Sequence, residues 1–186
     1  MGLLKSTLKK HINPIFIETG TCYGDTVDVA KRLGFNKIIS IEVSKKLYKQ
    51  ACSRFLVSCN IQIINGDSSK ILWFVIKNIR EKITFVLDAH YLDWGADIRR
   101  DPLAREKYVE YPLLKELEII SRHIRKDHTI IIDDVRLFSS HFNTNIEEVR
   151  EILLRINPKY KIEFAKGVVE DNKVIKDDVM IAYRKD

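Results

Sequence analysis

Six carboxylates recur at one kind of position in this sequence. Glu18, Glu42, Asp67, Asp88, Asp133 and Asp134 each stand at or just beyond the end of a short, β-branched run. A lone carboxylate in such a place usually caps a helix. Several along one edge repel one another unless a cationic ligand, a metal ion or hydrogen-bond donors offset their charge. The first of them opens a turn, Phe16-Ile17-Glu18-Thr19-Gly20-Thr21-Cys22-Tyr23-Gly24-Asp25-Thr26. Gly20 allows a ligand or a second backbone to come close, and Gly24 eases the start of a helix. This is not the three-glycine fingerprint that accommodates a pyrophosphate, because only two glycines are present and Tyr23 stands between them. A ligand without phosphates fits better, and a nicotinamide oxidoreductase is disfavoured.

The elements that must position these residues follow from periodicity. Runs at 14–18, 37–42, 61–65, 83–88 and 128–133 read as buried strands. Helical spacing separates them: Leu47, Ala51 and Phe55 after Ser44, and Ile71, Val75 and Ile79 after Ser68, with each serine placed as a cap. Strands joined by helices are parallel with right-handed crossovers, so a Rossmann-like, doubly wound α/β sheet is expected. Thr144-x-x-Glu147 reads as a capping box for a helix carrying Ile146, Val149, Leu153 and Ile156. Runs at 160–166 and 178–184, joined by a polar stretch at 170–176, predict an antiparallel hairpin at one sheet edge. In such a sheet ligands bind at the carboxyl ends of the strands, where the six carboxylates fall.

The first four strands begin about two dozen residues apart, the spacing of compact βα units. The fifth arrives late, after the insertion YLDWGADIRRDPLAREKYVE at 91–110. Its mixture of Tyr91, Trp94 and Tyr108 with many charges suits a lid over an acceptor, with Arg99 or Arg100 available to an anionic group. A surface excursion packed on its own helix is the competing reading. The helix beyond it is expected to open near Tyr111.

Composition bounds the function classes. The chain has 186 residues, 45% hydrophobic and 31% charged, as expected of one globular domain over 1–186. Its net charge is +6, from 32 basic and 26 acidic residues, but the basic clusters lack aromatic interleaving, so no nucleic-acid partner is expected. Cys22, Cys52 and Cys59 form neither a zinc knuckle nor a disulfide framework. With no signal-like or membrane-spanning run, the expected location is the cytoplasm and no membrane partner is expected. Met1-Gly2-Leu3-Leu4-Lys5-Ser6 matches the brief myristoylation pattern, which leaves lipidation of Gly2 open, as is homo-oligomerisation.

The turn Glu18-Thr19-Gly20-Thr21-Cys22-Tyr23-Gly24, followed by Glu42 in IISIEVS and by Asp67-Ser68 in INGDSS, resembles the class I S-adenosylmethionine-dependent methyltransferases along nearly the whole chain. The resemblance implies that Glu18, Gly20, Thr21, Gly24 and Thr26 surround the amino-acid end of the cofactor. It further implies that Glu42 holds the ribose hydroxyls and that Asp67 and Ser68 contact the adenine, with Asp88 also bordering the cofactor. Asp88 in FVLDAHY and Asp133-Asp134 in IIIDDVRLF are similar to the metal-holding aspartates of the catechol and macrocin O-methyltransferases. That likeness implies a divalent ion, Mg²⁺, on Asp88, Asp133 and Asp134, activating a hydroxyl of a small-molecule acceptor such as a sugar or phenolic diol.

The sequence departs from the catechol type in one place: where those enzymes carry a lysine base, three residues past the first aspartate, Tyr91 stands here. His90 is the candidate base, since histidine titrates near neutral pH, with Asp88 as the other choice. A metal-independent methyltransferase and a non-catalytic cofactor-binding module remain the alternatives. The element that grips a flipped base, Asn/Asp-Pro-Pro followed by an aromatic residue, does not follow the fourth strand.

Overall fold

The computed structural model describes residues 5–90, 111–141, 144–168 and 174–185. The helix α1 (Lys5–Lys9) leads into β1 (Ile15–Thr19), α2 (Asp25–Leu33), β2 (Lys37–Glu42), α3 (Lys45–Arg54), β3 (Ile61–Asn65), α4 (Ser68–Ile76) and β4 (Ile83–Leu87). There follow α5 (Leu113–Ser121), β5 (Thr129–Ile132), a 3₁₀ turn (Val135–Leu137), α6 (Phe138–His141), α7 (Ile146–Ile156), β6 (Lys161–Val168) and β7 (Val174–Tyr183). The sheet has seven strands in the order β3-β2-β1-β4-β5-β7-β6. The first five run parallel, whereas β7 is antiparallel to both β5 and β6. The chain therefore leaves β1 toward one side and returns through β4 on the other. A crevice opens at the carboxyl ends of β1 and β4, the switch point of this topology.

Alternation along each strand builds two cores, one on each face. Ile15, Ile17, Ile39, Ile41, Ile83, Phe85, Leu87, Ile130 and Ile132 pack under α4, α5 and α7 through Leu72, Ile76, Leu117, Ile120, Val149 and Leu153. The intervening residues Phe16, Ile38, Val86 and Ile131 face Leu8, Val27, Ala30, Phe35 and Phe55 on the opposite side. Strands covered on both faces are apolar nearly throughout, so their reading from sequence as continuous β-branched runs holds.

Two expected caps move by one residue. The helix α4 is capped by Asp67, whose carboxylate accepts the Ser69 N–H at 3.0 Å, while Ser68 is already helical. Similarly, α7 is capped by Asn145, which accepts the Glu148 N–H at 2.9 Å, and Thr144 donates instead to the Glu148 carboxylate at 2.8 Å. In each case an adjacent Asx side chain accepts a first-turn N–H, so the helix start is set by the Asx residue and not by the neighbouring Ser or Thr. The expected hairpin forms with its first strand at the edge, although β7 begins at Val174, inside the stretch read as linker. Among the described residues no helix is long and apolar enough to cross a membrane.

Candidate active site

The turn after β1 is fixed by backbone geometry. Gly20 has φ +87°, and a Cβ there would lie 2.4 Å from the Asp88 carbonyl oxygen, so the ends of β1 and β4 touch only because residue 20 has no side chain. Its N–H donates to the Ile41 carbonyl at 2.9 Å, which ties the same turn to β2. Gly24 has φ +82° and lies against the Phe55 ring, where a Cβ would approach to 2.7 Å. Arg54 donates to the Tyr23 carbonyl at 2.6 Å and to Asp25 at 2.7 Å, clamping the turn from the end of α3. As N-cap of α2, Gly24 makes no side-chain hydrogen bond to the first turn, where Thr26 lies. Backbone N–H groups at such a terminus suit a carboxylate ligand.

Glu18 lies beneath this turn, 1% exposed. It accepts the Ser40 hydroxyl at 2.6 Å, and Ser40 in turn meets the Thr21 hydroxyl at 2.6 Å. Burial pushes the Glu18 carboxyl well above the carboxylate range, the Ser40 bond opposing it and the charge of Asp88 adding to it. The structure thus places Glu18 as a brace under the turn. Glu42 is the other brace: its two oxygens accept the Cys22 N–H at 2.8 Å and the Ser44 N–H at 2.7 Å. Burial raises its pKa against those backbone bonds.

Around the end of β3, Asp67 accepts from Ser69 and pairs with Lys70 at 2.9 Å. Burial works against its charge, but those bonds outweigh it and hold the carboxyl below its usual range. The Ser68 hydroxyl points inward, donating to Glu116 of α5 at 2.5 Å. Glu116 is 1% exposed, and burial raises its carboxyl to about 7. Glu116 stands in the first turn of α5 within an amphipathic pattern, and no sequence motif marks it.

The remaining residues gather across β4 and β5. The His90 ring places Nε2 3.1 Å from Asp88 Oδ1 and 2.5 Å from Asp134 Oδ2. Burial disfavours an imidazolium there, yet the two carboxylates prevail and raise His90 to about 10. Burial raises Asp88, with the His90 contact opposing it, and it raises Asp133 further, helped by the charges of Asp88 and Asp134. Asp134 goes the other way: burial is outweighed by His90 and Arg136, which hold it below the usual range. The Arg136 guanidinium also pairs with the buried Asp178 of β7. Among the described residues two sets of potential metal-ligating atoms result, Asp88–His90–Asp134 and Asp133–Asp134–Asp178, each within 4.8 Å and both containing Asp134.

The expected metal residues Asp88, Asp133 and Asp134 are therefore neighbours, divided between two triads. In the first triad the Asp88 and Asp134 oxygens are suitable donors for a divalent ion, and the His90 nitrogen joins them only once it has lost its proton. The second already contains the Arg136 cation. Tyr111 lies near Glu116 and the three aspartates, and burial with their charges raises its phenol strongly. Neither Arg136 nor Asp178 carries a sequence signal of this role, since β7 brings Asp178 from the far end of the chain. The insertion read as a lid, 91–110, lies outside the described residues.

No family model and no curated protein matches the chain. Solved structures do. An O-methyltransferase from Streptomyces achromogenes involved in tomaymycin synthesis, in complex with SAM, superposes with TM-score 0.64 at 15% identity, covering 98% of this chain and 78% of that one. The fold is that of the class I methyltransferases. The Bacillus cereus O-methyltransferase in complex with SAH gives 0.60 at 16% identity, covering 97% of this chain and 78% of that one. Fibrillarin in its complex with Nop5p gives 0.56 at 19%, covering 97% and 79%. Neighbours this diverse do not select an acceptor, which the site alone must indicate.

Proposed function

We propose that this chain transfers a methyl group from S-adenosylmethionine to a hydroxyl of a small molecule, with help from a divalent ion. One observation carries the reading: the Gly20 turn touches the Asp88 backbone across the β1–β4 crevice, so a cofactor cradled by that turn lies beside the Asp88–His90–Asp134 cluster. Glu18, Gly20, Thr21, Gly24 and Thr26 form or brace the amino-acid end of the cradle, Glu42 faces the ribose, and Asp67 and Ser68 border the adenine. The wall rich in carboxylates suits a cofactor that carries ammonium and sulfonium charges. The cofactor supplies an electrophilic methyl group on sulfur. A divalent ion, held by Asp88, Asp133 and Asp134, would ease loss of the acceptor's proton.

The chain's own residues handle that proton. His90, charged up to about pH 10 in the resting site, keeps Asp88 and Asp134 in place and donates to them. Asp88, half-buried with its carboxyl raised, is the better acceptor for the hydroxyl proton. His90 takes that role only after giving up its own proton, which discharge of Asp134 would promote. A metal-independent variant of the same reaction is the second reading, favoured because His90 and Arg136 already supply two cations among these carboxylates.

Calorimetric titration with S-adenosylhomocysteine, and methyl transfer to a panel of diols with Mg²⁺ or excess chelator, test both readings. Binding of the cofactor product, with turnover lost on chelation and in Asp133→Asn and Asp134→Asn, is the expected result. Turnover that survives chelation favours the second reading. Tight NAD binding with no response to S-adenosylhomocysteine defeats both.

A further inference from the structure

Asp178 is served by three separate features of the tail. Ala165 pairs with Val179 and Gly167 with Ile175, so three residues of β7, Lys176, Asp177 and Asp178, stand opposite Lys166 alone. This bulge contains Asp177 at φ +57°. It turns Asp178 inward, leaving its side chain fully buried. Gly167 makes the room: a Cβ there would lie 2.6 Å from Asp178 Oδ2 and 2.9 Å from its Cβ. Both carboxylate oxygens then meet Arg136, Oδ1 accepting its backbone N–H at 3.1 Å and Oδ2 its guanidinium. The same Nη1 donates to Asp134. Asp134 itself occupies a left-handed conformation, φ +57°, which aspartate adopts more readily than most non-glycine residues.

We propose that Arg136 is the resident cation of the Asp133–Asp134–Asp178 triad, and that Arg136 and Asp178 are positioning residues that aim Asp134 at the acceptor side of the site. A guanidinium fixed by a fully buried carboxylate cannot swing away without stranding that charge. It therefore keeps a divalent ion out of the space between Asp134 and Asp178 and leaves any ion the Asp88 side of Asp133 and Asp134. Gly167 and the bulge in β7 exist, on this view, to deliver one carboxylate to the turn after β5. The functional half of the proposal rests on the reading of Asp134 as acceptor-side machinery; the cation half does not.

Mn²⁺ alone, followed by electron paramagnetic resonance, is titrated into wild-type, Arg136→Gln, Arg136→Lys, Asp178→Asn and Gly167→Ala proteins. Binding of S-adenosylhomocysteine and methyl transfer are measured in parallel. Arg136→Gln is expected to bind one Mn²⁺ more than wild type and to gain more thermal stability from it, because the triad has lost its own cation. Arg136→Lys, which keeps the charge, should not. Asp178→Asn is expected to lower kcat roughly 10–100-fold while S-adenosylhomocysteine affinity stays at the wild-type value. Gly167→Ala displaces the same carboxylate without changing any charge and should do likewise, which covers a poorly folding Asp178 variant. Wild-type Mn²⁺ stoichiometry in Arg136→Gln overturns the cation half, and wild-type kcat in both Asp178→Asn and Gly167→Ala overturns the positioning half. Absence of methyl transfer by the wild type itself would count against the proposed function, and the Mn²⁺ comparison would then decide the cation half alone.

Discussion

Glu42 concentrates two jobs in one side chain, since the N–H groups of Cys22 and Ser44 both end on its carboxylate and the turn after β1 hangs on one of them. Glu42→Gln replaces one acceptor oxygen by a donor facing an N–H. The expected cost is about 1–3 kcal/mol in urea unfolding, the usual penalty for a buried donor left unpaired. Affinity for S-adenosylhomocysteine should fall with it, about tenfold for each 1.4 kcal/mol lost from the cradle. Calorimetry showing full affinity in a destabilised variant would separate the brace from the cradle. Gly20→Ala is the complementary probe. Its Cβ would push against the Asp88 carbonyl, so the ends of β1 and β4 must part, and both cofactor affinity and turnover should drop. At this scale the carboxylates were legible because each directly follows an apolar run. Arg136, Asp178 and Glu116 were not, because their meaning lies in partners 42 or 48 residues away in sequence.

Among elements, the contact between α4 and α5 is tied by the bond from Ser68 to Glu116, on the adenine side of the proposed cradle. Burial raises the Glu116 carboxyl from 4.5 to about 7. A carboxyl that binds its proton more tightly when folded contributes stability that is fully present below pH 4.5 and is lost as pH rises through about 7. The loss is on the order of a few kcal/mol at most. Glu116→Gln should therefore be more stable than wild type at pH 8 and close to it at pH 4.5, as read from thermal melts at each pH. Equal differences at both values would remove the titration of Glu116 from the account. The helices themselves were legible from apolar spacing, whereas two caps shifted by one residue because a neighbouring Asx side chain caps the first turn instead. The bulge in β7 left no pattern, since it breaks the alternation on which strand reading depends.

The whole molecule combines a site at the carboxyl edge with a buried histidine pair elsewhere in the fold. The alternation of strands and helices made the parallel sheet legible, but the insertion of β7 between β5 and β6 is a tertiary choice that sequence spacing does not encode. His128 sits at the start of β5. Its Nδ1 accepts the Ile83 N–H at 3.1 Å, so the ring carries its proton on Nε2 and donates to His123 Nδ1 at 2.8 Å. His123 Nε2 then donates to the Ile76 and Ile79 carbonyls, at 3.2 and 3.1 Å. Every ring nitrogen is used in the neutral form. Burial lowers His128 from 6.5 to about 3, assisted by the charges of Arg125, Lys82 and Lys126. A histidine kept neutral by the fold contributes stability present above pH 6.5 and lost as pH falls toward about 3. This slope opposes that of Glu116 and of the other carboxyls that burial raises, so it is read as a difference between two proteins. In the Glu116→Gln protein one opposing carboxyl is gone, and His128 should cost it stability below pH 6.5. Glu116→Gln/His128→Asn, in which the Asn oxygen can still accept the Ile83 N–H, should lose much less. Urea midpoints measured from pH 7 to pH 4 decide the matter, and parallel curves for the two proteins would show that His128 is not the acid-sensitive link.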